Sequence, residues 1–269
     1  MKRFGLAVPD SLLETHFQAR IDHRIQRFYN GSPGDSLPVL LNHPIPNIEM
    51  MRWGLIPGNW KKRELPFGTH LAYGRKLIQK PLYRAPIRLR RCLIPASYYL
   101  TWEEGDPYLV FIEETKLFAF GAVWEEWESF DEPPKLVHSF SIIMTATNRR
   151  LMALKEHMPL IIRHGSYKKW LDPNRSLMEI KQMIVPYEEK PMNAYKVTSK
   201  VKHTSFEGKE VYRPVSKRLH RKYEMIPDEY HEDVRGDKVV DKWKKKYLDR
   251  LIIKKSLNLL NYLIKFNRI

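Results

Sequence analysis

Two apolar rhythms run along the chain. Near its start Leu13, Phe17, Ile21, Ile25 and Phe28 recur at helical spacing behind a Ser11-Leu-Leu-Glu14 capping box and stop at Asn30-Gly31, which predicts an amphipathic helix. Residues 1–8 alternate and predict a first strand. Further on the rhythm shortens: residues 39–41, 49–55, 108–112, 117–124, 138–145, 158–162 and 194–201 are short apolar runs bounded by Gly, Pro or charged side chains, and each predicts a strand. Short helical pieces are expected at residues 148–154, 167–171 and 177–184, while residues 69–77 show no clear periodicity. Strands this short and regular predict an α+β fold, a curled, mainly antiparallel β-sheet or barrel with flanking helices.

The pattern centres on residues 88–104. There a basic run feeds an apolar strand that stops at Leu93-Ile94-Pro95 and restarts as an aromatic strand, and Leu55-Ile56-Pro57 echoes it between Arg52, Trp53 and Trp60. Strand interiors exclude proline, so each Leu-Ile-Pro predicts a strand ending against a turn.

Composition adds a partner class. A formal charge of +16 over 269 residues, with basic side chains interleaved with Trp and Tyr, points to a polyanion, nucleic acid first and an anionic membrane second. A solvated basic surface kept for solubility is the alternative. The single cysteine, Cys92, excludes an internal disulfide framework and a cysteine-rich zinc site. His16 and His23 have no acidic or cysteine partner at metal-ligand spacing, so no metal and no cofactor is expected. Pro9, Asp10 and Glu14 interrupt any signal-peptide core and no run has the length of a membrane span, which predicts a cytoplasmic protein.

The character changes near Pro214, so the expected domains are residues 1–213 and a charged tail at 214–269. Within the tail Val240, Trp243, Tyr247, Leu251, Leu259 and Leu263 line one face of a basic amphipathic C-terminal helix, with Lys242 and Lys254 elsewhere. That helix fits packing on the domain, a partner or a second copy, and equally an acidic membrane or DNA.

Arg52-Trp-Gly-Leu-Ile-Pro57, Arg91-Cys-Leu-Ile-Pro-Ala96, the run from Phe118 to Trp124, Phe140-Ser-Ile-Ile143, Met158-Pro159 and Trp170-Leu-Asp-Pro173 follow one another in a recognisable order. In that order and spacing, residues 1–213 resemble the SOS response-associated peptidase (SRAP) family, the abasic-site-processing proteins of the DNA damage response. The resemblance implies an SRAP-like fold, single-stranded DNA, including abasic DNA, as partner, and a second-residue cysteine whose amine and thiol close a thiazolidine on the abasic aldehyde.

At the positions that the resemblance marks as catalytic, this chain departs from the family. The cysteine position falls at Lys2, the asparagine at Leu71, the glutamate at Thr101 and the histidine at Lys155, while the arginine of the asparagine's motif falls at Tyr73. Cys92 sits in an apolar strand and reads as core. Glu103 and His157 lie two residues beyond Thr101 and Lys155, on the same strand face, and are the available substitutes, although both also read as ordinary surface residues. The DNA-facing set implied is Arg3, Arg52, Trp53, Pro57, Trp60, Tyr73 and Arg75, and Trp53 reads equally well as a core residue.

The leading expectation is therefore a single-stranded-DNA-binding member without thiazolidine chemistry, a pseudo-enzyme. One alternative is a Schiff-base lyase acting through the amine of Met1, expected to be retained before the bulky Lys2, or through Lys2 itself. A non-catalytic protein-interaction scaffold is the other.

Overall fold

The computed structural model describes residues 1–219, apart from 42–45, 63, 67, 75, 76 and 114. The expected C-terminal helix and Arg75 lie outside the described residues, as does most of the turn around Pro44.

In chain order the elements are β1 (Arg3–Leu6), α1 (Asp10–Phe17), β2 (Phe28–Gly31), β3 (Ser36–Leu41), β4 (Asn47–Trp53), β5 (Leu71–Tyr73), α2 (Pro81–Arg84), α3 (Pro86–Leu89), β6 (Arg91–Ala96) and β7 (Tyr98–Glu103). They continue as β8 (Asp106–Ile112), β9 (Phe118–Glu128), β10 (Leu136–Ala146), β11 (His157–Pro159), β12 (Ile161–Ile162), α4 (Tyr167–Leu171), α5 (Leu177–Met183) and β13 (Met192–Lys196).

The fold is α+β. The long hairpin β9–β10 closes a barrel, because β10 pairs on one side with β9 and on the other with β4, and β4, β3, β6 and β9 complete the ring. Beside it stands a five-stranded sheet in the order β13-β8-β7-β1-β2, antiparallel throughout. The barrel is not purely antiparallel, since β10 meets β4 and β5 in parallel. Residues 69–77, without a readable period, thus supply a short strand whose partner, not its own pattern, defines it.

Two sequence expectations change. The apolar series from Leu13 to Phe28 is not one helix: α1 ends at Gln18 in the left-handed region, φ 50°, and Phe28 belongs to β2. Phe28 is needed opposite β1, where its ring meets Phe4 edge-on at 5.3 Å. Nor does Pro95 end a strand, for β6 runs through it. Gly121, opposite Leu93, donates its N–H to Leu160 rather than to β6, so by alternation the nitrogen of Pro95 also points away from β9. On its other side β6 meets β3 at Leu93, ahead of Pro95, so the missing N–H breaks no ladder bond. The bend falls at Ser97, whose N–H donates to the Gly5 carbonyl (2.8 Å) as the chain crosses into the second sheet.

The core joins both sheets through aromatic edges: Phe4 lies 5.2 Å from Trp53 and 5.5 Å from Phe120. The sequence motifs around Arg91 and Trp170 meet here. Trp170 is fully buried and its indole N–H donates to the Cys92 carbonyl at 2.9 Å. The buried Arg91 guanidinium donates to the carbonyls of Ile87, Arg88, Trp170 and Asp172, satisfying the ends of α3 and α4 at once. Among the described residues no helix is long and apolar enough to cross a membrane.

Candidate functional site

β1 sets Arg3 opposite Leu100 and Phe4 opposite Tyr99, and continuing that register carries Met1 and Lys2 along β7 towards the buried Thr101. Alternation puts Lys2 on the face of Phe4 and Arg3 on the other. Phe4 packs on Trp53, Trp53 packs on His70 (5.9 Å) and donates its indole N–H to the His70 carbonyl (2.9 Å).

This chain of contacts brings His70 to the amine of Met1, and Lys155 reaches the same place. Burial, then Lys155 and Lys2, lower that amine from 8.0 to about 6, so it is mostly unprotonated at pH 7. Burial, then the amine and Lys2, hold the His70 imidazole below its usual 6.5. Three of the contributors, Met1, Lys2 and Lys155, were legible as candidates. His70 was not, because nothing in its local sequence marks it.

The remaining candidates scatter. Leu71 is half-buried in β5 opposite Ile142, and Tyr73 is exposed with its ring edge-on to His157 at 5.2 Å. Glu103 is buried at the end of β7 opposite Asp106, and its charge acts on Tyr108. Arg3 and Arg52 are drawn towards backbone carbonyls, of Lys202 at 3.5 Å and of Gly34 at 3.0 Å. Trp53 is 0% exposed, so its ring offers no face to a base and its place is the core. Cys92 is equally enclosed, and burial pushes its thiol well above the usual range, which keeps it protonated and unreactive.

Pro57 and Trp60 belong to a separate cleft of ≈730 Å³ between the loop that follows β4 and the α2–α3 segment. Leaving β4, Gly54 takes φ +133° and Ile56 donates its N–H to Ser139 Oγ at 2.8 Å. Gly58 then runs so close to β9 that a Cβ there would stand 3.0 Å from the Glu126 carbonyl oxygen. Trp60 is fixed at both ends: its indole donates to the Glu64 carbonyl and its own carbonyl accepts from Trp127, each at 2.9 Å. Across the cleft Arg90 pairs with Glu125 (2.5 Å) and Glu126 (3.6 Å) and lies over Trp124. These carboxylates were not anticipated, although the run Trp124-Glu-Glu-Trp127 stood in plain view. Among the described residues no cluster of three or more His, Cys, Asp or Glu is placed to hold a metal ion.

The sequence matches the family described as SOS response associated peptidase (SRAP) over residues 2–204. The chain belongs to that family. It is 30% identical over 183 residues to the abasic site processing protein YoaM of Bacillus subtilis, covering 65% of this chain and 80% of YoaM. It is 29% identical over 180 residues to the abasic site processing protein YoqW of the same organism, covering 64% of this chain and 80% of YoqW. A crystal structure of a Bacteroides thetaiotaomicron protein superposes with a TM-score of 0.70 at 23% identity, covering 74% of this chain and 93% of that one. One from Bordetella bronchiseptica gives 0.65 at 16%, covering 74% and 100%, and both likenesses are of fold.

Proposed function

We propose that this chain engages abasic sites in single-stranded DNA and holds the opened sugar at the Met1 end of β1 without sealing it as a thiazolidine. The observation that carries this is the pairing of an intact family architecture with a site that holds amines and no thiol: Lys2 and Lys155 act on the Met1 amine, that amine and Lys2 act on His70, and the one cysteine is enclosed in β6. Cations there favour the phosphates that flank a missing base, and exposed lysines and arginines elsewhere follow the strand. A gel shift comparing intact with abasic single strands tests it. Binding of both with no heat-stable adduct is expected. A heat-stable adduct from the unmodified protein refutes the proposal.

The unprotonated state of the Met1 amine favours a second reading, reversible Schiff-base chemistry. The amine lone pair adds to the aldehyde carbon, and loss of water leaves an imine that hydrolyses back because no thiol closes the ring. Borohydride converts that imine to a stable secondary amine, so trapping in its presence, located by mass spectrometry to the first peptide, separates this reading from binding alone.

A further inference from the structure

We propose that the tip of the β9–β10 hairpin docks into the basic cavity beside α1 of a second copy of this chain, giving a salt-sensitive self-association. The tip is an acidic island. In a chain of net charge +16, residues 125–132 hold five carboxylates and no basic side chain. Arg90 pairs with Glu125 and Glu126, and Asp131 leans on Lys135 at 3.7 Å. Glu128 and Glu132 are exposed and pair with no cation among the described residues. Between them Phe130 stands 46% exposed, held edge-on against the buried Trp127 with ring centroids 5.7 Å apart. Ser129 orders the turn: its N–H donates to the Lys135 carbonyl (2.8 Å), and its Oγ accepts from the Lys135 N–H (3.0 Å) and donates to Asp131 (3.1 Å). An aromatic side chain on a turn that is already ordered loses little freedom on binding. The carboxylates repel phosphates, so a nucleic-acid strand leaves this tip uncovered.

The cavity carries the complementary features. Pro9, Asp10, Arg24, Ile25, Gln26 and Arg27 enclose ≈780 Å³, room for one aromatic ring and the turn that bears it. Arg24 and Arg27 are exposed and pair with no carboxylate among the described residues. The one carboxylate of the lining, Asp10, is turned to the Ile25 N–H at 3.3 Å, and Pro9 and Ile25 supply apolar surface. No residue of the tip lines the cavity of its own chain, so the pairing is between copies. Aromatic and arginine side chains at the centre of the contact are the groups that anchor protein interfaces. The patch is small and its charges face solvent, which sets a weak, transient association rather than a permanent dimer.

The test is sedimentation velocity of the full chain, freed of nucleic acid, over a concentration series at low and at high salt. The unmodified chain should associate at low salt and return to monomers at high salt. Glu128→Lys with Glu132→Lys, and separately Arg24→Glu with Arg27→Glu, should each weaken association about tenfold or more. Unchanged thermal unfolding of both variants excludes misfolding as the cause. Mixing the two charge-reversed proteins should restore association, because each tip then meets the opposite charge in the other protein's cavity. Phe130→Ala should weaken association at constant charge. An unmodified chain that stays monomeric throughout, association indifferent to either reversal, or a mixture that recovers nothing overturns the proposal. Each result is read without DNA, so it stands or falls separately from the abasic-site reading.

Discussion

The same tripeptide occupies two different environments in this molecule. Leu93-Ile94-Pro95 lies inside β6, every residue buried between β9 and the rest of the barrel, and the proline's missing N–H faces a position without a ladder partner. Leu55-Ile56-Pro57 follows β4, buries its Leu and Ile, and delivers its proline to the rim of the Trp60 cleft. What separates them is the next contact. After Pro95 the chain is caught by Gly5 at the bend into β7, whereas after Ile56, tied to Ser139, it turns through Gly58 against β9. The barrel copy serves packing and the loop copy serves a surface.

That contrast can be broken by mutation. Trp53→Ala, at the buried foot of the loop, should cost about 3–5 kcal/mol of unfolding free energy and leave the DNA affinity of the folded fraction intact, read by urea denaturation beside titration. An affinity loss without a stability loss would return Trp53 to the surface. Next in size, Arg91→Met removes one donor group from four carbonyls and should cost about 2–4 kcal/mol. Arg91→Lys should recover little, because an ammonium cannot span the fork. Trp60→Ala should behave in the opposite sense to Trp53→Ala, lowering affinity by about 1–3 kcal/mol with a small effect on stability.

Acidification sharpens the packing side. His16 is wedged against His164 (4.6 Å between rings) and Tyr167, and burial, then His164, lower it from 6.5 to about 4. The unfolded chain therefore takes up that proton first. Its contribution is fully present above pH 6.5 and is lost as pH falls towards about 4, a slope that His16→Gln should flatten in denaturation curves at several pH values. The smallest effect is expected from Arg3→Ala, which should reduce the slope of log affinity against log salt by about one unit if Arg3 contacts a phosphate. No change would assign Arg3 to its carbonyl contact with Lys202.

Strands were readable where a buried face left a mark. The hairpin β9–β10, the runs behind β8, β11 and β12, and short helices α4 and α5 all follow apolar positions that any packing partner would have to cover. Failures came where the partner, not the segment, decides. β5 exists because β10 offers it an edge, and Phe28 leaves the helical series because Phe4 needs a neighbour. Trp53 and Trp60 look alike in sequence, both beside basic residues. One is enclosed by Phe4, Phe140 and His70, and the other is pinned at a cleft rim.

The sequence alone determined that residue 2 is a lysine, that Cys92 is the one cysteine in its 269 residues, and that the motifs are those of an SRAP chain. These are facts of covalent identity and order, which folding does not alter. Only the tertiary structure decided that Cys92 is sealed, that Arg91 ties helix ends rather than meeting a polyanion, and that the Met1 amine lies within electrostatic reach of both His70 and Lys155, each remote from it in sequence. Those depend on which surfaces lose water together, and burial and charge proximity are properties of the packed chain that no local pattern carries.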